Sequence, residues 1–235
     1  SMLALGGEIY VKKATVEYHA SARLDDTLDV GMQSTRIGNS SCLFTAGIFC
    51  GDRLLISAEL VYVFADPATQ TSRPVPPALR AIFEGFEAGA EMAEVRTGDW
   101  NTLGRDAGRV RTAVFVHEQG IPADIEADIH DISARHAVLY NRLGMPIAAG
   151  RLLQPSPGVG RIGRMAVDRS VRGAQWGRQL LDALVDAARA RGDTEVQLHA
   201  QSSAEGFYRR AGFAVVGEPY EEAGIAHIAM ARQLQ

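Results

Sequence analysis

A tyrosine, a glutamate and a basic, glycine-containing turn are the residues of this chain whose types suit acid–base chemistry on a phosphate-bearing substrate. The turn runs from Arg172 to Arg178 and precedes an apolar pattern with helical spacing. The first N–H groups of a helix lack partners within it and carry partial positive charge, so a turn at this position suits an anion. Taken alone, this glycine spacing favours the alternative, an ordinary strand-to-helix connection.

A strand and a long helix are predicted to position this turn. The strand ends at Met165-Ala166-Val167, and Asp168-Arg169-Ser170 is a turn signal. Helical spacing after the turn predicts a buried stripe, made of Leu180, Leu181, Leu184, Ala187 and Ala188. Gly192, which follows Arg189 and Arg191, predicts the end of that helix.

A second motif, Phe207-Tyr208-Arg209-Arg210-Ala211-Gly212-Phe213, follows after the strand-like segment Glu195–His199. In this order the two motifs resemble the GNAT superfamily of acetyl-CoA-dependent N-acetyltransferases, whose cofactor pattern is Gln/Arg-x-x-Gly-x-Gly/Ala. Arg172 and Gly177 match the ends of the pattern, whereas Gln175 stands where its middle glycine is usual. The resemblance covers residues 91–235 and is nearest to the small ElaA-like branch, through Val114–Gly120 and Glu222–Met230.

The resemblance implies an α/β fold in which helices flank a mixed central sheet, and acetyl-CoA as cosubstrate. It implies direct transfer of the acetyl group to an amine, carried by a small molecule or a peptide. Two alternatives stay open. One is a non-catalytic acyl-CoA-binding module, which Gln175 would permit. The other is a bifunctional thioesterase–acetyltransferase, suggested by the N-terminal segment described below.

The residues expected to hold acetyl-CoA follow from the resemblance. The phosphate-binding residues would be Arg172, Gly173, Ala174, Gln175, Trp176, Gly177 and Arg178. Backbone groups of Met165, Ala166 and Val167 would pair with the pantetheine arm, and one N–H there would polarise the thioester carbonyl. Gln201 stands where the family usually has an asparagine that touches the same arm.

Tyr208 is the candidate acid, because a phenol of pKa about 10 is protonated at neutral pH and can supply a proton to a thiolate. Without the motif, an interfacial tyrosine that packs beside Phe207 and Phe213 is the default interpretation. Glu118 is the candidate base, acting directly or through a water, and a solvated glutamate at a helix end is the equal alternative. Three histidines are weaker candidates for the base: His117, His199 and His227.

The segment Gly120–Ser133, which precedes a predicted strand at Ala134–Asn141, is acidic and has two interpretations. It contains Asp124, Glu126, Asp128 and Asp131. These charges would either steer a cationic amine towards the site or form a solvated loop, and the second interpretation is slightly favoured.

The remaining pattern of residues 91–235 alternates strands with helices. It predicts a helix from Trp100 to Val116 with Asn101 or Thr102 as its cap. The stripe expected to be buried contains Leu103, Ala107, Val110, Val114 and Ala113. Strands are predicted at Ala134–Asn141 and Ile147–Leu153, followed by a loop over Gln154–Gly160.

The first 90 residues are predicted to form a separate antiparallel sheet. Alternating apolar residues over 8–64 and turn signals at Gly38-Asn39 and Gly51-Asp52 predict consecutive strands in a meander. Pro77 suits the first turn of a following helix. Glu17–Leu28 and Val75-Pro76-Pro77 resemble the second half of a hotdog-fold thioesterase of the 4-hydroxybenzoyl-CoA type. The first half of that fold, with its catalytic carboxylate and central helix, has no counterpart before residue 8, so thioesterase chemistry is not expected. Three explanations stay open: a truncated chain, a mis-set start codon, or a half-domain whose exposed apolar face is covered by a partner, such as a second copy in a homodimer, or by residues 91–235.

Composition excludes some classes of function. The 235 residues carry a net charge of −4, which gives no general attraction to nucleic acid or anionic membranes. No apolar run has the length of a membrane span. The two cysteines, Cys42 and Cys50, indicate a reducing, cytoplasmic setting and core packing. No spacing of histidines and acids indicates a metal site.

Overall fold

The computed structural model describes residues 5–222 and 224–234. The chain divides into two compact units, one ending at Met92 and the other beginning at Ala93. Ala223, which belongs to the C-terminal motif of the ElaA-like branch, lies outside the described residues.

The first unit contains a four-stranded antiparallel sheet. Its strands are β1 (Glu8–Tyr18), β2 (Asp29–Ile37), β3 (Ser41–Cys50) and β4 (Arg53–Ala65). The predicted turns at Gly38-Asn39 and Gly51-Asp52 connect β2 to β3 and β3 to β4. The order in the sheet is β1-β4-β3-β2, so the prediction of a simple meander is wrong for β1, which pairs with β4. Alternation assigns residues to faces, but it does not specify which strand lies beside which. The resemblance to a hotdog fold stays a prediction.

Helix α1 (Pro77–Glu87) covers part of one face of this sheet. Its Leu79 and Phe83 pack with Cys42, Phe44 and Phe64. The same face continues over paired positions at the other end of the strands, where Val30 lies opposite Ile48 and Met32 opposite Ala46. There Val30 is 72% exposed and Met32 59% exposed. This unit therefore has an apolar surface that the described residues do not cover.

The second unit is built on a mixed sheet of eight strands. They are β5 (Ala93–Gly98), β6 (Arg135–Asn141), β7 (Pro146–Ser156), β8 (Val159–Val167), β9 (Glu195–Gln201), β10 (Ala214–Val215), β11 (Tyr220–Glu222) and β12 (Ile225–Gln233). The order is β10-β12-β9-β8-β7-β6-β5, and β11 pairs with β12. Only the β8–β9 pair is parallel among these strands. Helices on the two faces complete the predicted mixed α/β arrangement.

The helices of this unit are α2 (Trp100–Arg111), α3 (Ala123–Glu126), α4 (Trp176–Arg191) and α5 (Glu205–Arg210). Helix α2 continues as a π-helical segment, Thr112–Glu118. Helix α4 packs its predicted leucines on one face of the sheet, and α2 packs Leu103, Ala107 and Val110 on the other. Gly192 ends α4 with a φ of 91°, as predicted. Among the described residues, no helix is long and apolar enough to cross a membrane.

Three local predictions in this unit are wrong. The side chain that caps α2 is Asp99, which accepts a hydrogen bond from the Thr102 N–H at 2.9 Å, rather than Asn101 or Thr102. Ala113 is exposed, because it lies at about 80–100° around the helix from Leu103 and Val114. The predicted loop over Gln154–Gly160 is mostly strand, since β7 and β8 form a hairpin around Pro157 and Gly158.

Candidate active site

The two parallel strands at the centre of the second sheet diverge. Among the described residues, β8 and β9 pair only from Val159 with Glu195 to Ile162 with Leu198. Beyond these positions β8 continues to Val167 and β9 to Gln201, each paired only with its other neighbour. The opening between the two strand ends is here called the β8–β9 gap. Met165, Ala166 and Val167 line it, so their backbone edge is available to a substrate.

A β-bulge redirects this edge. Arg164 and Met165 of β8 lie opposite the single residue Gly150 of β7, since Ala166 pairs with Ala149 and Gly163 with Arg151. Arg164 has a φ of 52°, in the left-handed region. A Cβ atom on Gly150 would lie 2.8 Å from the Met165 sulfur and 2.8 Å from Cδ1 of Leu184. Gly150 therefore allows the bulged strand to approach α4 closely.

The glycine-containing turn lies at the N-terminus of α4, as the pattern predicts. The first bond of this helix joins the Arg178 N–H to the Gln175 carbonyl at 2.9 Å, so the preceding N–H groups are not used by the helix. Gln175 has a φ of 61° and makes no side-chain capping bond. Glycine adopts a left-handed conformation without steric cost, which explains why the family pattern usually has glycine at the position of Gln175.

Arg172 and Glu118 form a bidentate ion pair, with Nη1 and Nη2 each 2.7 Å from a carboxylate oxygen. Nε of Arg172 also donates to the Val167 carbonyl at 3.0 Å. Hydrogen bonds from Arg172 lower the pKa of Glu118, and those same bonds raise the pKa of Arg172. The candidate phosphate ligand and the candidate base are therefore each other's partner in this structure.

Tyr208 lies in α5, and it is 9% exposed. Its ring makes edge contacts with Phe207 at 4.9 Å and Phe213 at 6.1 Å between centroids. Burial raises the pKa of the Tyr208 hydroxyl to about 12, because the phenolate would lose its hydration. The hydroxyl has no hydrogen-bond partner among the described residues. The packing role and the acid role are compatible with the same position.

Gln201 ends β9, and its amide donates to the Gln119 side chain at 3.3 Å. His227 of β12 lies opposite Gln201 in the sheet and stacks on Tyr220 with the ring planes 25° apart. His199 bonds to the Tyr220 hydroxyl through Nδ1. These three rings lie on the face of the sheet that carries α2, but α2 packs on β5–β8 and stops short of β9 and β12. His117 is exposed at the end of the π-helical segment.

The structure contradicts both interpretations of the acidic segment, a steering surface and a solvated loop. Glu126 and Asp131 point inward and bind Arg111, whose side chain is 1% exposed. Arg151 of β7 bonds to Asp131 and to Asp128, with the shortest contacts at 2.8 and 2.7 Å. Only Asp124 of the four predicted acids is solvated. The segment is neither a steering surface nor a free loop, because its acids neutralise arginines that the sheet and α2 bury.

The pKa shifts in this cluster reflect a balance between burial and ion pairing. Burial disfavours the charged form of Asp128, but hydrogen bonds and positive charge from Arg151, together with the charge of Arg164, outweigh it and lower its pKa to about 2. The pKa of Asp131 is lowered as well, because bonds from Arg111 and Arg151 outweigh its burial. Burial lowers the pKa of His136, which is therefore neutral at neutral pH. Asp128 and Asp131 therefore stay ionised throughout the physiological range.

Sequence reasoning missed Arg111, Arg151 and Arg164 as members of this cluster. The signal available was an arginine inside a strand that is otherwise apolar, as in Ile147–Leu153. A buried arginine needs a carboxylate partner, and the acidic segment is the nearest supply along the chain. Gln119, the partner of Gln201, was also missed, and no signal in its spacing marks it.

A family model described as an acetyltransferase (GNAT) domain matches residues 103–234. The uncharacterized N-acetyltransferase YjcF of Bacillus subtilis is 37% identical over 127 residues, which are 54% of this chain and 89% of the relative. Two solved structures are also similar. The crystal structure of Escherichia coli ElaA is 32% identical with a TM-score of 0.54, covering 60% of this chain and 99% of its own. An acyl-CoA N-acyltransferase from Pseudomonas aeruginosa is 34% identical with a TM-score of 0.55 over the same shares.

Proposed function

The chain belongs to the GNAT family of acetyltransferases, and we propose that it catalyses direct attack of an amine on acetyl-CoA at the β8–β9 gap. Family membership makes it an acyl-CoA-dependent enzyme. The observation that supports the location is the divergence of β8 from β9 next to the free N–H groups before α4. The diverging strand offers an extended backbone edge that suits the pantetheine arm of a coenzyme A ester. The N–H groups before α4 offer an anion site that suits its pyrophosphate.

In the proposed reaction the nitrogen lone pair of the neutral amine attacks the thioester carbonyl carbon. A backbone N–H of the Met165–Val167 edge stabilises the negative charge that develops on the carbonyl oxygen. The C–S bond then breaks, and its electron pair leaves with the sulfur. The nitrogen loses one proton and the sulfur gains one, so an amide and the thiol of coenzyme A are the products.

Glu118 is proposed as the base that removes the proton from nitrogen. While Arg172 binds it in the free protein, its lowered pKa makes it a weak base. A bound pyrophosphate carries more negative charge than a carboxylate and competes for the same guanidinium. Release of Glu118 from Arg172 would raise the pKa of Glu118, so the base would become stronger only after acetyl-CoA binds.

Tyr208 is proposed as the proton donor to the leaving sulfur. Its raised pKa keeps the hydroxyl protonated at any pH at which the enzyme would work. The apolar surroundings that raise the pKa of Tyr208 would also raise that of a thiolate, since desolvation disfavours either anion. Because both pKa values rise together, burial of Tyr208 does not by itself make the proton transfer more unfavourable.

The acceptor amine is proposed to approach over the part of the sheet that α2 leaves uncovered. This surface carries Gln201, His199, Tyr220 and His227, next to the end of the π-helical segment that holds Glu118. Either a small-molecule amine or a peptide amine could reach the gap from this side. Two imidazoles and a phenol provide hydrogen-bond donors and acceptors for such a ligand.

Calorimetric titration with acetyl-CoA, followed by an amine screen, tests the proposal. We expect saturable micromolar binding that is weakened at least tenfold by Arg172→Ala, since a charge-assisted contact is lost. Tyr208→Phe should bind acetyl-CoA normally and lose turnover on any amine that the wild type acetylates. Absence of saturable binding to the wild-type protein would overturn the proposal.

We also propose that the first unit associates with a second copy of the chain through its uncovered apolar surface. Val16, Tyr18, Val30 and Met32 are exposed on one face of the sheet. Burying such a surface against a copy of itself removes apolar area from water on both partners.

A further inference from the structure

We infer that the acidic segment is a clamp on the bulge of β8, in which Asp128 and the backbone of α3 hold Arg164 in a left-handed conformation and so direct the Met165–Val167 edge into the β8–β9 gap. Arg164 and Asp128 are then positioning residues, which act through the backbone of their neighbours. The inference rests on the proposed function for its catalytic meaning, but the clamp itself is a property of the free protein.

The conformation of Arg164 requires support. A residue with a Cβ atom in the left-handed region clashes with its own backbone, so the conformation persists only where surrounding contacts favour it. At φ 52°, Arg164 is the only described strand residue of the second unit other than glycine with a positive φ. It is also one of the two bulged residues, and the edge that lines the gap begins immediately after it.

The contacts of the Arg164 side chain all go to the acidic segment. Nε donates to the Glu126 carbonyl at 3.1 Å. Nη2 donates to the Ile125 carbonyl at 3.0 Å and to a carboxylate oxygen of Asp128 at 3.1 Å. The guanidinium therefore caps the C-terminal end of α3, whose last carbonyls lack partners within the helix.

The other side of the clamp is anchored in the protein interior. Glu126 and Asp131 bind the buried Arg111 at the end of α2, and Asp131 and Asp128 bind Arg151 of β7. Asp128 thus joins Arg151 and Arg164 from adjacent strands, accepting two hydrogen bonds from Arg151 and one from Arg164. Because Arg151 lies one residue from Gly150, both strands that form the bulge are fixed to the same segment.

A pair of substitutions at Arg164 separates this role from a purely structural ion pair. Arg164→Ala removes the side-chain bonds and keeps the steric clash, whereas Arg164→Gly removes both. If the clamp serves to hold a left-handed residue, glycine should retain the edge geometry that alanine loses. If the bonds only stabilise the fold, the two variants should behave alike.

The experiment measures the free protein first, through the amide NMR signals of residues 165–167. We expect these signals to shift in Arg164→Ala and to stay close to those of the wild type in Arg164→Gly. Equal shifts in both variants, or in neither, would overturn the inference. Asp128→Asn weakens the clamp without changing the bulge sequence, so it should shift the same signals as Arg164→Ala. It provides the test if Arg164→Ala does not fold.

A second measurement connects the clamp to function. Acetyl-CoA binding should weaken about tenfold in Arg164→Ala and recover most of that loss in Arg164→Gly. Binding of 3′-phosphoadenosine 5′-diphosphate, the nucleotide half of coenzyme A, should be unchanged in both variants. Equal weakening for both ligands would contradict the clamp. Absence of acetyl-CoA binding to the wild-type protein would overturn the proposed function and leave the NMR result on the clamp intact.

Discussion

Gln175 has a left-handed backbone conformation that the presence of its own side chain disfavours. The turn before α4 needs a left-handed residue, and a glutamine supplies it at φ 61°. For a residue with a Cβ atom this conformation costs about 1–2 kcal/mol. Glycine would avoid this cost, but it loses more conformational entropy on folding, which cancels part of the gain in stability. The residue that makes the family pattern imperfect is thus also a source of local strain.

We predict that Gln175→Gly increases the free energy of unfolding by about 0.5–1 kcal/mol and strengthens acetyl-CoA binding. The first effect follows from relief of strain, and the second from closer approach of a phosphate to the backbone. Urea denaturation and calorimetry measure the two effects. Gln70→Gly is the matched control, since Gln70 has a φ of 53° in the first unit and should change stability without changing binding. Weaker binding of acetyl-CoA to Gln175→Gly would contradict the prediction.

If Arg172 binds acetyl-CoA as proposed, its ion pair with Glu118 should make that binding dependent on pH. The pKa of Glu118 lies below its ordinary value of 4.5 while Arg172 binds it. The ion pair therefore stabilises the fold above that ordinary value and is lost as the pH falls through the lowered pKa. If acetyl-CoA takes Arg172, the pKa of Glu118 rises towards 4.5 and the complex takes up protons near that pH.

We predict net proton uptake when acetyl-CoA binds at a pH between the lowered pKa of Glu118 and its ordinary value of 4.5, and its disappearance in Glu118→Gln. Calorimetry in two buffers of different ionisation enthalpy gives the number of protons. Asp186→Asn is a suitable control, because Asp186 forms an exposed ion pair with Arg189 on α4 away from the turn. The same uptake in wild type and Glu118→Gln would exclude Glu118 as the group that titrates.

For Tyr208 the expected effect is on rate rather than on binding. Tyr208→Phe should lower kcat about 100-fold, the scale of a lost general acid, and leave the KM for acetyl-CoA nearly unchanged. The wild-type rate should show no alkaline fall from Tyr208 below about pH 11, because its pKa is raised to about 12. Initial rates across pH measure both quantities, and an unchanged kcat in Tyr208→Phe would reduce Tyr208 to a packing residue.

At the scale of elements, the bulge in β8 depends on a partner strand that tolerates it. Sequence periodicity predicts β7 and β8, but a bulge shifts the alternation by one residue and is invisible in the pattern of each strand alone. At Gly150 of β7 an added Cβ would meet Met165 of β8 and Leu184 of α4, each at 2.8 Å. Its small size is a packing requirement rather than a turn signal.

We predict that Gly150→Ala destabilises the protein by about 1–3 kcal/mol, because the added methyl overpacks the contact with Met165 and Leu184. Gly163→Ala is the control, as a Cβ there meets nothing within 4 Å in the adjacent part of β8. Thermal or urea unfolding of the full chain measures both variants. Equal stability of Gly150→Ala and the wild type would mean that α4 moves freely to accommodate the methyl.

At the scale of the whole molecule, the first unit leaves an apolar surface where α1 ends. The pairs Val16–Ala58 and Tyr18–Ile56 continue the surface that Val30 and Met32 begin. A sheet face of this kind is unusual on a monomer, and its edge strands β1 and β2 also have unpaired backbone groups. Self-association through this face would remove its apolar area from water on both copies.

We predict that the chain is a dimer in solution and that Met32→Glu converts it to a monomer. A carboxylate placed on the associating face would have to be desolvated in the dimer. Sedimentation velocity measures the mass of each species. Gln33→Glu, on the opposite face of the same strand, should leave the dimer intact, and a monomeric wild-type protein would contradict the prediction.

The sequence by itself determined the order and type of most elements of the second unit. Helical spacing identified α4 and its buried leucines, the glycine-containing turn identified its N-terminus, and two motifs in series identified the family. These features are local, because spacing along one element fixes which residues share a face.

Only the tertiary structure decided which residues from distant parts of the chain lie together. The position of β1 beside β4, the opening of the β8–β9 gap and the pairing of Arg172 with Glu118 all join residues far apart in the chain. The acidic segment shows the physical reason most clearly. Its charges look solvated in the sequence, and only folding brings Arg111, Arg151 and Arg164 close enough to form ion pairs with Glu126, Asp128 and Asp131.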